Sequence, residues 1–216
     1  MELTVLGFLV LAYIAGSIPS SYVAGRMNGV DLRQHGSGNL GATNVYRVLG
    51  ARAAIPVMLA DIGKGFVPVA FFPGWDGSAD GRLAIAYGCA AIAGHVWSAF
   101  LRFKGGKGVA TGAGVLFALV PLATVLALLI WIGIVALTRY VSVGSILTAT
   151  FVPILAFVFD ASGAVVAFCA VVALFVWWTH RENVRRLLEG TEHRFGSDRH
   201  RAREGRDEAA ERGADE

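Results

Sequence analysis

The stretch VATGAGVLFALVPLATVLALLIWIGIVAL, residues 109–137, decides what kind of molecule this is, because its 29 positions hold no ionisable side chain. A helix rises about 1.5 Å per residue, so crossing a hydrocarbon layer of about 30 Å takes roughly 20 apolar residues. Residues 109–137 are too long for one such crossing and short for two. Pro121 lies near their middle and removes a backbone donor where a break would fall.

Residues 1–24 and 161–178 are similarly apolar, and the whole chain of 216 residues is 55% hydrophobic, 16% charged and has a mean hydropathy of +0.58. A soluble core cannot hide that much apolar surface, so the pattern implies an all-α, polytopic transmembrane helix bundle. Residues 1–24 lack a basic flank and a small-residue cleavage pattern, so they read as a retained span rather than a secretion signal. Further spans are expected at residues 53–72, 82–101, 145–159 and 161–178. If Gly108 and His180 lie on one side, the crossings between them are even in number. Seven crossings, with residues 109–120 a short one, are favoured over five.

The net charge of +3 matters less than its distribution. Arg26, Arg33, Arg47, Arg52, Lys104, Lys107, Arg181, Arg185 and Arg186 lie in connections opposite to those holding Asp76, Asp80 and Asp160. The positive-inside rule makes the basic loops cytoplasmic, with the amino terminus outside and the carboxyl terminus inside. Residues 1–192 read as the membrane unit and residues 193–216 as a charged tail too poor in apolar residues to fold alone. Cys89 and Cys169 sit in apolar runs and read as small hydrophobes rather than disulfide partners or metal ligands.

Three polar segments interrupt the apolar runs. The first, HGSGNLGATNVYR at residues 35–47, sets Gly36, Gly38 and Gly41 among Ser37, Asn39, Thr43 and Asn44. Glycines let successive backbone amides turn toward an anion, and Arg47 adds a planar fork for phosphate. An ordinary Gly-Asn turn is the plainer reading, but the donor density favours an anion. The second segment, FKGGKG at residues 103–108, joins Lys104, Gly105, Gly106, Lys107 and Gly108 to the start of an apolar helix. A helix amino terminus with lysines and exposed amides suits phosphate, although the spacing is not that of a Walker A loop. Interfacial lysine anchors are the alternative. The third, HRENVRRLLEG at residues 180–190, puts His180 and Asn183 on one helical face with Arg186 close by. An amphipathic helix lying on headgroups explains this segment equally well. Asp61 and Lys64 form an i, i+3 pair inside a span, read as structural support for the first loop, with His95 as a polar neighbour.

Taken in order, SGNLGATNVYR (37–47), GHVWSAFLRFKGGKGVAT (94–111) and HRENVRRLLEGTE (180–192) closely resemble the three cytoplasmic motifs of the bacterial acyl-phosphate:glycerol-3-phosphate acyltransferases. The resemblance covers roughly residues 16–192. It implies a multispanning inner-membrane enzyme that moves a fatty acyl group from acyl phosphate to the 1-hydroxyl of glycerol 3-phosphate, giving lysophosphatidic acid and phosphate. It also implies a need for neither metal nor cofactor, with the bilayer and the acyl-phosphate-forming enzyme as partners and nucleic acid as none. The expected catalytic residues are Ser37, Arg47, Lys107, His180 and Asn183. Expected binding residues are Gly36, Gly38, Asn39, Gly41, Thr43, Asn44, Lys104, Gly105, Gly106, Gly108 and Arg186. Ser37, Asn39 and the first-loop amides would hold acyl phosphate; Arg47, Lys107, His180 and Asn183 would engage glycerol 3-phosphate and the oxyanion. His193 and Asp198 share the spacing of another acyltransferase class, but they fall in the tail and read as coincidence. A carrier for a phosphorylated solute is the rival reading. It predicts broken helices at mid-membrane in paired repeats, and no repeat is visible. A scaffold without chemistry leaves the three motifs unexplained.

Overall fold

The computed structural model describes residues 2–77 and 81–196; Asp80, Asp198 and the tail from residue 197 lie outside the described residues. All regular structure among the described residues is helical: α1 (Glu2–Ser17), α2 (Ser20–Met27), α3 (Ala42–Leu49), α4 (Ala51–Trp75), α5 (Gly81–Val96), α6 (Val109–Leu119), α7 (Pro121–Thr138), α8 (Val141–Val158), α9 (Gly163–Thr179) and α10 (Arg181–Leu188). The expected first span is broken at Ile18–Pro19, and α3 lies unanticipated inside the first polar loop.

Five helical stretches are long and apolar enough to cross a membrane, and α9 with α10, bent by 53°, makes a sixth candidate. The shortfall from seven is α6, whose 11 residues rise only about 16 Å, half of a hydrocarbon core. Pro121 starts α7 as its first helical residue, the position a proline tolerates.

Chain direction alternates nonetheless. Phe8 packs against Phe72 and Tyr87 at one end of the bundle. At the other end Ser98 donates to the Ser17 carbonyl and Lys64 to the Ile18 carbonyl, so α1 and α5 run together and α4 runs against them. Gly108, at the start of α6, lies against Val96, and Trp97 packs on Phe175 and Trp178 of α9. Arg139 after α7 holds the Phe195 carbonyl, and Ser142 of α8 holds Glu192. The connections 28–41, 97–108, 139–140 and 180–196 therefore gather on one face.

Glycines set the closeness of two helix pairs. A Cβ at Gly16 or Gly94 would lie 2.1 Å from the Ala91 or Tyr13 carbonyl oxygen, and one at Gly65 or Gly114 would lie 2.1 or 2.0 Å from the Thr111 or Ile62 oxygen. Thus α1 meets α5, and α4 meets α6, backbone to backbone, the contact small residues permit between membrane helices. Val115, Leu116, Ala123, Val152, Phe168 and Cys169 fill the shared core, which confirms Cys169 as a packing residue. Leu59, Leu129, Phe157 and Leu174 stay exposed on the outer wall, where lipid is the solvent.

Candidate active site

The first loop is built on Asn44, which is 1% exposed. Its amide nitrogen donates to the Leu32 and His35 carbonyls at 3.1 and 3.0 Å, and its oxygen accepts from the Ser37 amide at 2.9 Å and Arg47 Nη1 at 3.4 Å. The expected donor to substrate is thus fully engaged in shaping the loop. Gly36 turns with φ +62°, and a Cβ there would strike Asn44 Oδ1 at 2.3 Å. Leu32, Leu40 and Val45 anchor the loop and α3 onto Ala54 and Val57 of α4. Ser37, Asn39, Thr43 and Arg47 remain half-buried on this rigid cap.

The second loop returns onto the end of α5. The Gly105 amide donates to the Val96 carbonyl at 2.9 Å and the Gly106 amide to the His95 carbonyl at 3.2 Å. These two amides, expected to face phosphate, are occupied in capping α5. Their glycines are required by contact instead, since a Cβ at Gly105 would lie 1.9 Å from the His95 oxygen. One step later Gly108 turns at φ +79° to start α6, and the amides ahead of the Gly112-to-Gly108 bond have no intrahelical partner. Lys104 is exposed, whereas Lys107 is half-buried.

Lys107 reaches the third segment, its ammonium donating to Asn183 Oδ1. The Asn183 amide nitrogen donates to Glu192 Oε1 at 2.6 Å, Ser142 Oγ donates to the same oxygen at 2.8 Å, and Arg186 Nε donates to Glu192 Oε2 at 2.7 Å. Burial pushes the Lys107 pKa down to about 8, helped by Arg186 and Arg47 and opposed by Glu192. Burial alone would raise the Glu192 carboxyl, but the bonds from Asn183, Ser142 and Arg186 outweigh it and hold the group below its usual range. Burial and the Lys107 charge bring His180 down to about 4, so its ring is neutral near pH 7. His180 Nδ1 lies 2.8 Å from the Val176 carbonyl, which only accepts; Nδ1 therefore carries the proton and Nε2 the lone pair.

Arg47, Lys107, His180, Asn183 and Arg186, drawn from three segments, thus share one electrostatic neighbourhood. A family model described as glycerol-3-phosphate acyltransferase matches residues 6–190. The chain belongs to the glycerol-3-phosphate acyltransferase family. It is 50% identical over 185 residues to the glycerol-3-phosphate acyltransferase of Geobacter sulfurreducens, covering 86% of this chain and 94% of that one. The corresponding protein of Halalkalibacterium halodurans is 48% identical, covering 88% of this chain and 96% of the relative. In solved structures the chain resembles PlsY, an integral membrane glycerol 3-phosphate acyltransferase, in its glycerol 3-phosphate form, with a TM-score of 0.84, 40% identity and coverage of 89% and 96%. The lysophosphatidic acid form of PlsY gives a TM-score of 0.82 at 39% identity, with the same coverage. This acyltransferase is accordingly a multi-pass membrane protein.

Two members of the acyltransferase network escaped sequence reading. Glu192 ends the third motif, where nothing in the sequence separates it from the motif's other carboxylates, Glu182 and Glu189. Ser142 had no local signal; it reaches the site only because α7 and α8 form a hairpin on this face.

Proposed function

We propose that the chain transfers a fatty acyl group from acyl phosphate to the 1-hydroxyl of glycerol 3-phosphate, yielding lysophosphatidic acid and inorganic phosphate, the first acylation in phospholipid synthesis. The carrying observation is Lys107 bonded to Asn183, with Arg186 and Arg47 close enough to depress its pKa. Two phosphorylated substrates need such a concentration of cations from separate segments, and the apolar wall accepts the acyl chain. The similar PlsY structures in glycerol 3-phosphate and lysophosphatidic acid forms support this acceptor and product.

Acyl phosphate is an activated anhydride, so positioning and charge stabilisation suffice. The Ser37 hydroxyl, Asn39 and the first-loop amides beyond Gly38 hold the acyl-phosphate group, and Arg47, Lys107 and Arg186 bind glycerol 3-phosphate. The lone pair on His180 Nε2 orients the attacking hydroxyl. As the new C–O bond forms, Lys107 and the open end of α6 stabilise the oxyanion. The bond from carbonyl carbon to phosphate oxygen then breaks, its electron pair leaves with phosphate, and phosphate, with a second pKa of about 6, takes the hydroxyl proton. In this reading the amino terminus is outside, the carboxyl terminus is cytoplasmic, and α6 is the short member of seven crossings. Acyl phosphate comes from a separate enzyme that forms it.

The test supplies purified protein with radiolabelled glycerol 3-phosphate and either acyl phosphate or acyl-CoA. Lysophosphatidic acid is expected with acyl phosphate alone; product from acyl-CoA only, or from neither donor, overturns the proposal. An acylated Ser37 after incubation with donor alone would replace direct transfer by a covalent route.

A further inference from the structure

Away from the Lys107 network, a cavity of about 10 Å³, room for about one water, lies where α1 breaks into α2, lined by Ser20, Ser21, Asp61, Lys64, His95 and Gly106 among others. Ser20 Oγ, Ser21 Oγ and His95 Nδ1 are buried there without a hydrogen-bond partner among the described residues. Orphaned polar atoms in a bundle interior are costly, and three around one cavity point to an occupant. Lys64 Nζ sits 2.8 Å from Asp61 Oδ1 and also donates to the Ile18 carbonyl, so the cavity already holds a balanced pair of charges. A metal cation would meet the ammonium and an anion would meet the carboxylate. The occupant that fits is water, which can donate and accept at once. His95 Nδ1 is 3.8 Å from Asp61 Oδ1, too far for a direct bond and suited to a water shared between them.

His95 also grips the second loop from beneath. Its carbonyl accepts the Gly106 amide, and its Nε2 lies so close to Gly106 that a Cβ there would fall 2.4 Å from it. Lys107 is the next residue. We infer that the Asp61–Lys64–His95 cavity is a hydrated positioning site: water joins His95 to Asp61 and the Ser20 and Ser21 hydroxyls, and the ring so fixed sets the placement of Gly106 and Lys107 for phosphate binding. His95 acts through the loop and is a positioning residue. The inference rests on the reading that this loop binds a substrate phosphate.

His95→Leu separates positioning from mere structure. It keeps much of the side-chain volume while removing an unsatisfied polar group, so a purely structural role leaves stability equal or higher and KM unchanged. Positioning instead raises the KM for glycerol 3-phosphate about tenfold and weakens inorganic phosphate binding in step, with the thermal midpoint in detergent unchanged or raised. His95→Asn, which carries an amide near the Nδ1 position, restores KM to within about threefold of the wild type. A His95→Leu protein with wild-type KM and phosphate affinity overturns the inference, as does a KM in His95→Asn no better than in His95→Leu. Should His95→Leu fail to fold, the double variant Asp61→Asn/Lys64→Met removes the charges at similar volume and is expected to raise KM equally; wild-type KM there also overturns the inference. Wild-type protein that makes no lysophosphatidic acid refutes the proposed function instead, and the phosphate titrations then still decide whether His95 positions the loop.

Discussion

Raising the pH through 8 should disarm the enzyme by discharging Lys107. Burial, Arg186 and Arg47 bring this lysine from 10.5 to about 8, so the ammonium proposed to bind phosphate is present below that value and lost above it. At pH 7 about nine-tenths of the enzyme carries the charge, and at pH 9 about one-tenth, a fall of roughly tenfold in kcat/KM for glycerol 3-phosphate. An unperturbed lysine near 10.4 would lose only about 4% of its charge at pH 9. Neither substrate phosphate, with a second pKa of about 6, nor His180, at about 4, titrates in this interval, so the descending limb belongs to Lys107. The assay is initial-rate kinetics in detergent micelles at subsaturating glycerol 3-phosphate from pH 6.5 to 9.5. Arg186→Gln should move the limb to higher pH by removing a repelling charge. Lys107→Arg should abolish the limb while raising KM, because a guanidinium stays charged but does not fit an ammonium's place. A flat profile between pH 7 and 9.5 in the wild-type protein refutes the reasoning.

Glu192→Gln removes a carboxylate that opposes the Lys107 shift, so the alkaline limb should move below pH 8; Glu192→Ala, which also frees Asn183, Ser142 and Arg186, should lower kcat/KM about a hundredfold by steady-state assay. Gly114→Leu places a Cβ 2.0 Å from the Ile62 carbonyl oxygen and should separate α4 from α6, seen as a thermal midpoint lowered by several degrees or as loss of folded protein on size-exclusion chromatography. Asn44→Ala strands the Leu32 and His35 carbonyls and the Ser37 amide, each costing about 1–3 kcal/mol where water cannot replace the bond. Limited proteolysis between residues 33 and 41 should therefore accelerate together with loss of activity.

The apolar runs made α4, α7, α8 and α9 legible, because crossing a bilayer demands a length of apolar sequence that little else demands. The break at Pro121 was legible for the same reason, whereas the break at Pro19 was hidden by apolar residues on both sides. Helix α3 went unread although Val45 and Leu49 recur on one face, since eight residues amid glycines look like a turn until Leu32 and Ala54 cover that face. The three polar segments gather on one face, but several of their donors are spent within the chain. Asn44, Gly105 and Gly106 direct their bonds to carbonyls of their own chain, and composition cannot distinguish a donor aimed at a ligand from one already engaged. Charge was misjudged in the same way. Counting Arg47, Lys107 and Arg186 alone describes a cluster of cations in which burial foremost, then repulsion from Arg186 and Arg47, pushes Lys107 toward neutrality. Glu192, held by Ser142 from 50 residues away, supplies a charge that opposes this shift, which leaves Lys107 at about 8. The proposed anion site thus includes an anion of its own, and only the tertiary fold brings Glu192 and Lys107 together.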